Sequence, residues 1–423
     1  MYMLIEKIQE ATQIEISNKT LDGWLFTDFG GKDKLTAQLL QIPKDKVSSR
    51  RWIYIIQGNN SCPIKILHSI EQDILSHLPG DQIFVYNSQV ELNSILHNFQ
   101  GKTFALLSDS NIPVISTVDG GFVDTLRLSN INTVSAATLM QRCLGTLSDK
   151  GIESHERAAT LLYKIVDDTW DYICHHYNQN LALTERMVVE KILTSFLKYN
   201  LITDHAPIVA FGKNTANPHY QVPIHGGKTA QKGDVIQLDI WAKEKFSLEE
   251  DKKLSTSSSV YADISWVGIY GSATQKQTQV FNSICKGRDT AIDLINDSSQ
   301  IPQSISGCQV DIKVRQTISQ CGYEKNLMHR TGHGIDTNCH GSGVNLDGVE
   351  FPDNRKILPG SCFSIEPGIY LKDFGMRTEI NMYLTNEGIP IISGLRFKNG
   401  LKNIDSIPQN KLLVTENSHA HYN

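Results

Sequence analysis

The sequence has no run of about eighteen apolar residues, so it offers no segment suited to crossing a membrane as a helix. It also lacks a basic excess: 40 lysines and arginines stand against 45 acids, a net charge of -5. That balance gives no electrostatic reason to expect nucleic acid or an anionic membrane as partner. The opening residues, Met-Tyr-Met-Leu-Ile-Glu-Lys-Ile-Gln-Glu, put charges where a secretory signal would have its apolar core, and a cytoplasmic location is the default expectation. Cys-x-x-Cys pairs are missing. The eight cysteines (Cys62, Cys143, Cys174, Cys285, Cys308, Cys321, Cys339 and Cys362) are scattered, which argues against a disulfide framework or a zinc knuckle. Most are expected to be reduced and buried. Cys339 stands apart because it adjoins His340, although an inert thiol is the simpler reading.

At 423 residues, 40% of them hydrophobic, the chain is long for one domain and suits two. Trp24 to Phe26, Trp52 to Ile56, Gln82 to Tyr86 and Thr103 to Leu107 are short and rich in β-branched or aromatic residues, with Gly, Asp, Asn or Ser at their ends, as strands are. Ile64 to Leu78 places its apolar residues largely on one helical face and predicts a helix. This alternation predicts a small α/β domain over 1–148, without a catalytic constellation. Gly145, Gly151 and their polar neighbours mark a boundary, after which Ser154 is expected to cap a helix carrying Ala158, Leu162, Ile165, Val166 and Ile173. His175 and His176 end that helix and complement its dipole. Further helices are expected from Thr184, over Gln277 to Asn296, and over Gln309 to Gln320. The second domain is read as 149–410, and 411–423 as a fraying tail that carries His419 and His421.

The chemistry lies in four strand-like runs of this second domain. Val235 to Trp241 carries Asp239, Val260 to Val267 carries Asp263, Phe363 to Tyr370 carries Glu366, and Met376 to Tyr383 carries Glu379. A lone acid in a strand usually points to water. Several together in apolar runs cost several kcal/mol each unless something positive shares the space. Arg377, two residues before Glu379, is able to neutralise one; the others call for cations. Met328 to Gly341 adds His329, His333 and His340, with glycines on both sides of His333 that would let something approach the imidazole closely. Four carboxylates and one imidazole form an oxygen-rich set able to hold two divalent ions and a shared water, which is machinery for amide hydrolysis.

These pieces resemble a known family, the pita-bread-fold metallopeptidases, which include methionine aminopeptidase, Xaa-Pro aminopeptidase and Xaa-Pro dipeptidase (prolidase). The matching motifs are Leu-Asp-Ile-Trp (238–241), Tyr-Ala-Asp-Ile-Ser (261–265), His-Arg-Thr-Gly-His-Gly-Ile (329–335), Ile-Glu-Pro-Gly-Ile-Tyr (365–370) and Arg-Thr-Glu-Ile (377–380). The resemblance implies an α+β fold, a pita-bread catalytic domain preceded by the smaller α/β domain. It implies Asp239, Asp263, His333, Glu366 and Glu379 as metal ligands, with Asp263 and Glu379 bridging two ions and Glu366 also taking a proton from the attacking water. In the proline-directed subgroup, His219, His329 and His340 correspond to residues lining the cleft or orienting substrate, and Arg377 to an arginine paired with a ligand carboxylate or the substrate. His225 has no counterpart.

The resemblance further implies an exopeptidase acting on short proline-containing peptides. An Xaa-Pro aminopeptidase is slightly favoured over a dipeptidase, and a homodimer is implied. Carboxylate-rich ligation points first to Mn²⁺, with Zn²⁺, Co²⁺ or Fe²⁺ compatible. A non-catalytic binding or adaptor role on the same fold is the reading from another class. Two departures stand out. Asp239 and Asp263 are 24 residues apart, farther than in the family's hairpin, with a polar insertion between them that costs little loop entropy. His340 is followed by Gly341 where many relatives have Glu.

Overall fold

The computed structural model describes residues 2–18, 21–46, 48–58, 61–245, 259–299, 301, 304–394, 409 and 411–416. The chain divides into two compact units, 1–144 and 145–423. The first is built on α1 (Tyr2–Ser17), β1 (Gly23–Asp28), α2 (Lys34–Leu39), β2 (Trp52–Ile56), β3 (Ile64–His68), β4 (Gln82–Tyr86), α3 (Gln89–His97), β5 (Thr103–Leu106), α4 (Gly120–Leu128), β6 (Asn132–Ser135) and α5 (Ala137–Leu144). Its sheet runs β4-β3-β2-β1-β5-β6, with β2 antiparallel to both neighbours and the other pairs parallel. Alternation along β1 and β2 sends Trp24, Phe26, Trp52 and Tyr54 towards Ile8 of α1 and Met140 of α5. Leu25, Ile53 and Ile55 go the other way, onto Leu92 of α3 and Phe122 of α4. The result is a sheet between two helical layers.

One expectation fails here. Ile64 to Leu78 is not a helix: Ile64–His68 forms β3, and turns follow it. Ile64 and Ile66 pair across to Ile55 and Ile53 in a strand buried on both faces, where a short apolar run fits either period. Lys65, also buried, donates from Nζ to the Leu78 carbonyl at 2.6 Å, which fixes the turns against the strand.

The second unit holds α6 (Asp149–Asn178), α7 (Glu185–Lys198), β7 (Leu201–Ile202), β8 (Ile208–Phe211), β9 (Val235–Glu244), β10 (Ala262–Ile269), α8 (Gln275–Ser298) and α9 (Gly307–Gln320). Among the described residues β11 (Cys362–Ile365), β12 (Gly368–Tyr370), β13 (Gly375–Arg377), β14 (Ile380–Leu384), β15 (Pro390–Ile392) and β16 (Leu413–Val414) follow. Residues 145–148 belong with this unit, where Thr146 bridges Ser361 and the Leu147 amide donates to Gly360. α6 starts earlier than expected. Ser148 caps it by accepting from the Gly151 amide, whereas Ser154 lies inside the helix and donates to Glu244 at 2.9 Å. Thr184, Thr274 and Ser306 cap α7, α8 and α9, the last two as reciprocal capping boxes.

The antiparallel pair β9 and β10 is the spine of the unit. Ile236, Leu238, Ile240, Ile264 and Trp266 face α6 and α7 in one core. The intervening residues point the opposite way, where Val235, Val267 and Ile269 join a second core with α8, α9 and β11 to β14. Each fully buried Ile or Leu in these layers contributes roughly 1.5–3 kcal/mol. The expected tail begins tied to the sheet: β16 pairs with Gly268–Ile269, and buried Thr415 accepts from the Gly271 amide. His419 and His421 lie outside the described residues.

His155, fully buried on α6, lies 2.6 Å through Nδ1 from the Tyr261 carbonyl and 2.7 Å through Nε2 from Ser393 Oγ. Burial pushes its pKa down to about 4, so the fold holds it neutral. A folded pKa below the unfolded one means stability that is complete above the unfolded value and lost as pH falls through the folded one. From about 6.5 down to 4, the loss amounts to about 3 kcal/mol. His155→Gln is expected to flatten the fall of the urea midpoint between about pH 7 and pH 4.5 relative to the parent. Equal slopes in the two proteins would refute this.

Candidate metal centre and active site

Backbone geometry brings the four acids together. In the β9–β10 ladder Asp239 stands opposite Ser265 and Asp263 opposite Trp241, so the two aspartates are diagonal neighbours on the face turned away from α6 and α7. Glu366 and Glu379 do not sit inside strands as expected. Glu366 occupies the break between β11 and β12, where Pro367 has no amide hydrogen to continue a ladder, and its own amide donates to the Thr331 carbonyl at 2.7 Å. Glu379 occupies the break between β13 and β14 and donates its amide to Ser265 of β10 at 2.9 Å. Each glutamate is thus fixed by a backbone bond to a different segment.

His333 lies in a loop that bridges Leu346 through Gly332 and Phe363 through Gly334. The flanking glycines are required by this backbone packing. A Cβ on Gly332 would stand 2.0 Å from the Ser364 carbonyl oxygen, and one on Gly334 2.8 Å from Gly343. Nδ1 of His333 is 3.2 Å from the Gly334 carbonyl, which selects the tautomer with its proton there. The lone pair of Nε2 then points at the acids, 3.6 Å from Asp263 Oδ2 and 3.4 Å from Glu366 Oε1. Burial lowers the pKa of this ring and favours that neutral form.

The ligand atoms fall into overlapping groups. Those of Asp239, Asp263 and Glu379 lie within 4.8 Å of one another, as do those of His333, Glu366 and Glu379. Burial, then the neighbouring charge of Asp239, holds Asp263 well above the usual carboxylate range. Burial and then Asp263 do the same to Glu379. One oxygen of each, Asp263 Oδ1 and Glu379 Oε1, is buried without a hydrogen-bond partner. Buried, unpartnered carboxylate oxygens converging with an imidazole lone pair are what divalent cations satisfy, so the residues present fit a metal centre.

Arg377 reaches Asp239 through Nη2, donates from Nε to Ser265 Oγ at 3.1 Å and from Nη1 to Tyr370 Oη at 3.0 Å. Its ion pair is thus with Asp239, while it acts on Glu379, its neighbour in sequence, only through the field of its charge. Tyr370 Oη is in turn 2.8 Å from Nε2 of His329, whose Nδ1 is 2.7 Å from the Arg330 carbonyl. Burial, then Arg377, pushes His329 down to about 3, so it accepts the tyrosine proton as a neutral ring. His340 is exposed at the edge of the cluster, its ring 4.2 Å from that of His333, and that neighbour, more than burial, holds it at about 3. His219 is exposed too, and it is among the groups that lower the pKa of both His329 and His340. His225 is exposed.

Sequence reasoning missed the residues that orient the acids. Ser364 donates to Glu366 Oε1 at 3.1 Å and accepts from the His333 amide. Ser265 donates to Glu379 Oε2 at 2.9 Å. Asn381 accepts from the Asp263 amide at 2.8 Å and donates to its carbonyl at 2.6 Å. Ser364 and Ser265 are two residues from an acid, on or next to its strand, and that spacing was the available signal. Tyr370 stands in a matching motif that gave it no role. The Gly341 departure also has a cause: a Cβ there would lie 2.6 Å from Asp336 Cγ, because the Asp336 carboxylate fills that space. Of the polar stretch from Lys243 to Ser259, Lys243 and Glu244 end β9, and residues 246–258 lie outside the described residues.

The chain has clear relatives. It is 31% identical over 216 residues to an Xaa-Pro dipeptidase of Lactobacillus delbrueckii subsp. lactis, covering 49% of this chain and 50% of that one. It spans about half the length, or less, of the curated dipeptidases it matches. In fold it is similar to a dipeptidase from Mycobacterium ulcerans, at 17% identity and a TM-score of 0.64 over 97% of this chain and 98% of that one. The N-terminal domain of the FACT complex subunit SPT16 from chickpea is similar as well, at 11% identity and a TM-score of 0.59 over 91% and 94%. The pita-bread fold expected from the motifs is therefore present. Metallopeptidase family M24 matches residues 153–386, more than half of the chain and all five acid- and histidine-bearing segments, and the chain belongs to that family.

Proposed function

We propose that this protein is a metal-dependent exopeptidase that hydrolyses Xaa-Pro bonds in short peptides. The observation that carries this reading is the convergence of His333 Nε2 with four carboxylates, two of which have a buried, unpartnered oxygen. Asp239, Asp263, His333, Glu366 and Glu379 would hold two divalent cations, with Asp263 and Glu379 shared between them. Such cations, when bound, lower the pKa of water and polarise a carbonyl. Mn²⁺ suits the oxygen-rich set, and Zn²⁺, Co²⁺ and Fe²⁺ are compatible.

The chain's own groups divide the remaining work. Glu366, held by Ser364 on one oxygen and 3.9 Å from Arg377 Nε on the other, is the carboxylate that takes the proton of the attacking water. His340 and His219, exposed beside the cluster, would orient the substrate. A neutral His340 keeps one N–H to donate to the oxyanion as it develops. The Arg377–Tyr370–His329 chain fixes the wall behind them. Proline has no amide hydrogen and a fixed φ, so a cleft shaped to its ring selects it without needing to satisfy a donor. The likeness to an Xaa-Pro dipeptidase supports a dipeptidase reading, with the aminopeptidase expected from sequence as its alternative.

Two measurements test the reading. Mass spectrometry of Xaa-Pro dipeptides, Xaa-Pro-Xaa tripeptides and proline-free controls, with metal-stripped protein and added Mn²⁺, Zn²⁺ or Co²⁺, is expected to show metal-dependent cleavage of the dipeptides. Cleavage of tripeptides would restore the aminopeptidase, and no cleavage with any metal would favour a binding protein. Glu366→Gln is expected to lower kcat by roughly 10²–10⁴ with an unchanged far-ultraviolet circular dichroism spectrum.

The charge cluster makes a prediction about stability as well. Asp263→Asn removes one of the mutually repelling carboxylates, so the metal-free variant is expected to melt higher than the metal-free parent at about pH 8. Added divalent cation should reverse the order. At about 100 times Kd it stabilises the parent by about 2.7 kcal/mol and the variant by much less. A cation effect of equal size in both proteins would remove Asp263 from the site.

A further inference from the structure

Cys339 is the one sulfur drawn into the acid cluster among the described residues. It lies on the loop between His333 and His340, and several bonds fix that loop. Asp336 accepts from the Asn338 amide at 2.8 Å through Oδ1 and from the Ser342 amide at 2.7 Å through Oδ2, while the Gly341 amide donates to the Gly334 carbonyl at 2.7 Å. Lys243 ties down the outer side by donating to the Thr337 carbonyl at 2.7 Å. The close approach of Asp336 to Gly341 is part of the same arrangement. A loop held in this way presents the buried Cys339 side chain inward, with Sγ 3.0 Å from Asp263 Oδ2.

We infer that Cys339 Sγ is a further ligand of the metal centre, joining Asp263 and His333 around one cation and biasing the site towards thiophilic metals such as Zn²⁺ and Co²⁺ over Mn²⁺. The inference rests on the metal-centre reading proposed for the five ligands. Sγ, His333 Nε2 and an Asp263 oxygen already lie within 4.8 Å of one another. Their separations of 3.0 Å for Cys339–Asp263 and 3.6 Å for His333–Asp263 approach the roughly 3.3–3.6 Å edges of a tetrahedral zinc site with ordinary Zn–S, Zn–N and Zn–O bonds. An independent observation points to the same place: Asp263 Oδ1, on a side chain only 8% exposed, has no hydrogen-bond partner.

In the metal-free chain the thiol keeps its proton and donates it to Asp263. Binding replaces that proton with the cation: the S–H bond breaks, the proton passes to solvent, and the sulfur lone pair forms the bond to the metal without any change of oxidation state. A thiolate in an otherwise oxygen- and nitrogen-based set is the feature that raises preference for zinc and cobalt.

The test is spectroscopic. Metal-stripped protein titrated with Co²⁺ is expected to develop a near-ultraviolet sulfur-to-cobalt charge-transfer band together with the visible ligand-field bands. Cys339→Ser should keep the visible bands and lose the charge-transfer band. In an equimolar mixture of Zn²⁺ and Mn²⁺, the ratio of bound zinc to bound manganese should fall in that variant by on the order of tenfold or more. Should the variant fail to fold, zinc X-ray absorption of the unaltered protein gives the answer directly, through a sulfur scatterer at about 2.3 Å. Cobalt bound with visible bands but no charge-transfer band in the parent, or a band that persists in Cys339→Ser, overturns the role of Cys339 and leaves the metal centre standing. If no cobalt binds at all, the metal-centre reading falls and this inference with it.

Discussion

Mutual repulsion among carboxylates in a place with little water is the constraint around which the second unit is built. Two unit charges 4 Å apart near a protein surface interact by about 4 kcal/mol, and the acids here sit within such distances of each other. Arg377 compensates Asp239 directly, and serine and asparagine side chains hold the others in place. Such an arrangement forms only because the surrounding layers hold it by force. The alternate residues of β9 and β10 bury Leu238, Ile240 and Ile264 against α6 and α7, and those contacts fix the strands that carry Asp239 and Asp263.

The same constraint accounts for the irregular backbone at Glu366 and Glu379. An uninterrupted ladder would hold successive residues to alternating faces and could not turn a glutamate from each of two strand pairs towards a third. Breaking the strands at both acids frees the side chains to converge, and each lost ladder bond is replaced by one to a neighbouring segment, Thr331 in one case and Ser265 in the other. Pro367 makes the first break unavoidable. Local irregularity here has a defined purpose, since it brings two glutamates from strand breaks to the two aspartates held inside the β9–β10 ladder.

Much of this was legible in the chain. The acids were visible because ionisable residues within apolar runs violate the strand pattern, and three helices because strongly periodic segments follow Thr184 and fill 277–296 and 309–320, although the caps Thr274 and Ser306 were not singled out. Three things were not. Ile64 to Leu78 misled because residues buried on both faces have no diagnostic period. Ser154 was preferred to Ser148 as a cap because its hydroxyl, which serves Glu244 from inside the helix, looks in sequence like any other helix-start serine. The pairing of Arg377 with Asp239, 138 residues away, is a product of tertiary packing that no local spacing encodes.

The fold by itself does not decide between catalysis and binding. The decision rests on what the side chains would cost if nothing used them. A chain that kept this fold only as a scaffold would gain stability by replacing Asp263 and Glu379 with neutral residues of similar shape, because each now buries an unpartnered oxygen beside other acids. His333 sharpens the point. Its Nδ1 proton is committed to a backbone carbonyl, so its lone pair faces Asp263 and Glu366, where without a proton or a cation it finds only other lone pairs. An imidazole acceptor and carboxylate acceptors turned on a common space leave that space short of one thing, positive charge, and the geometry makes sense once a cation supplies it.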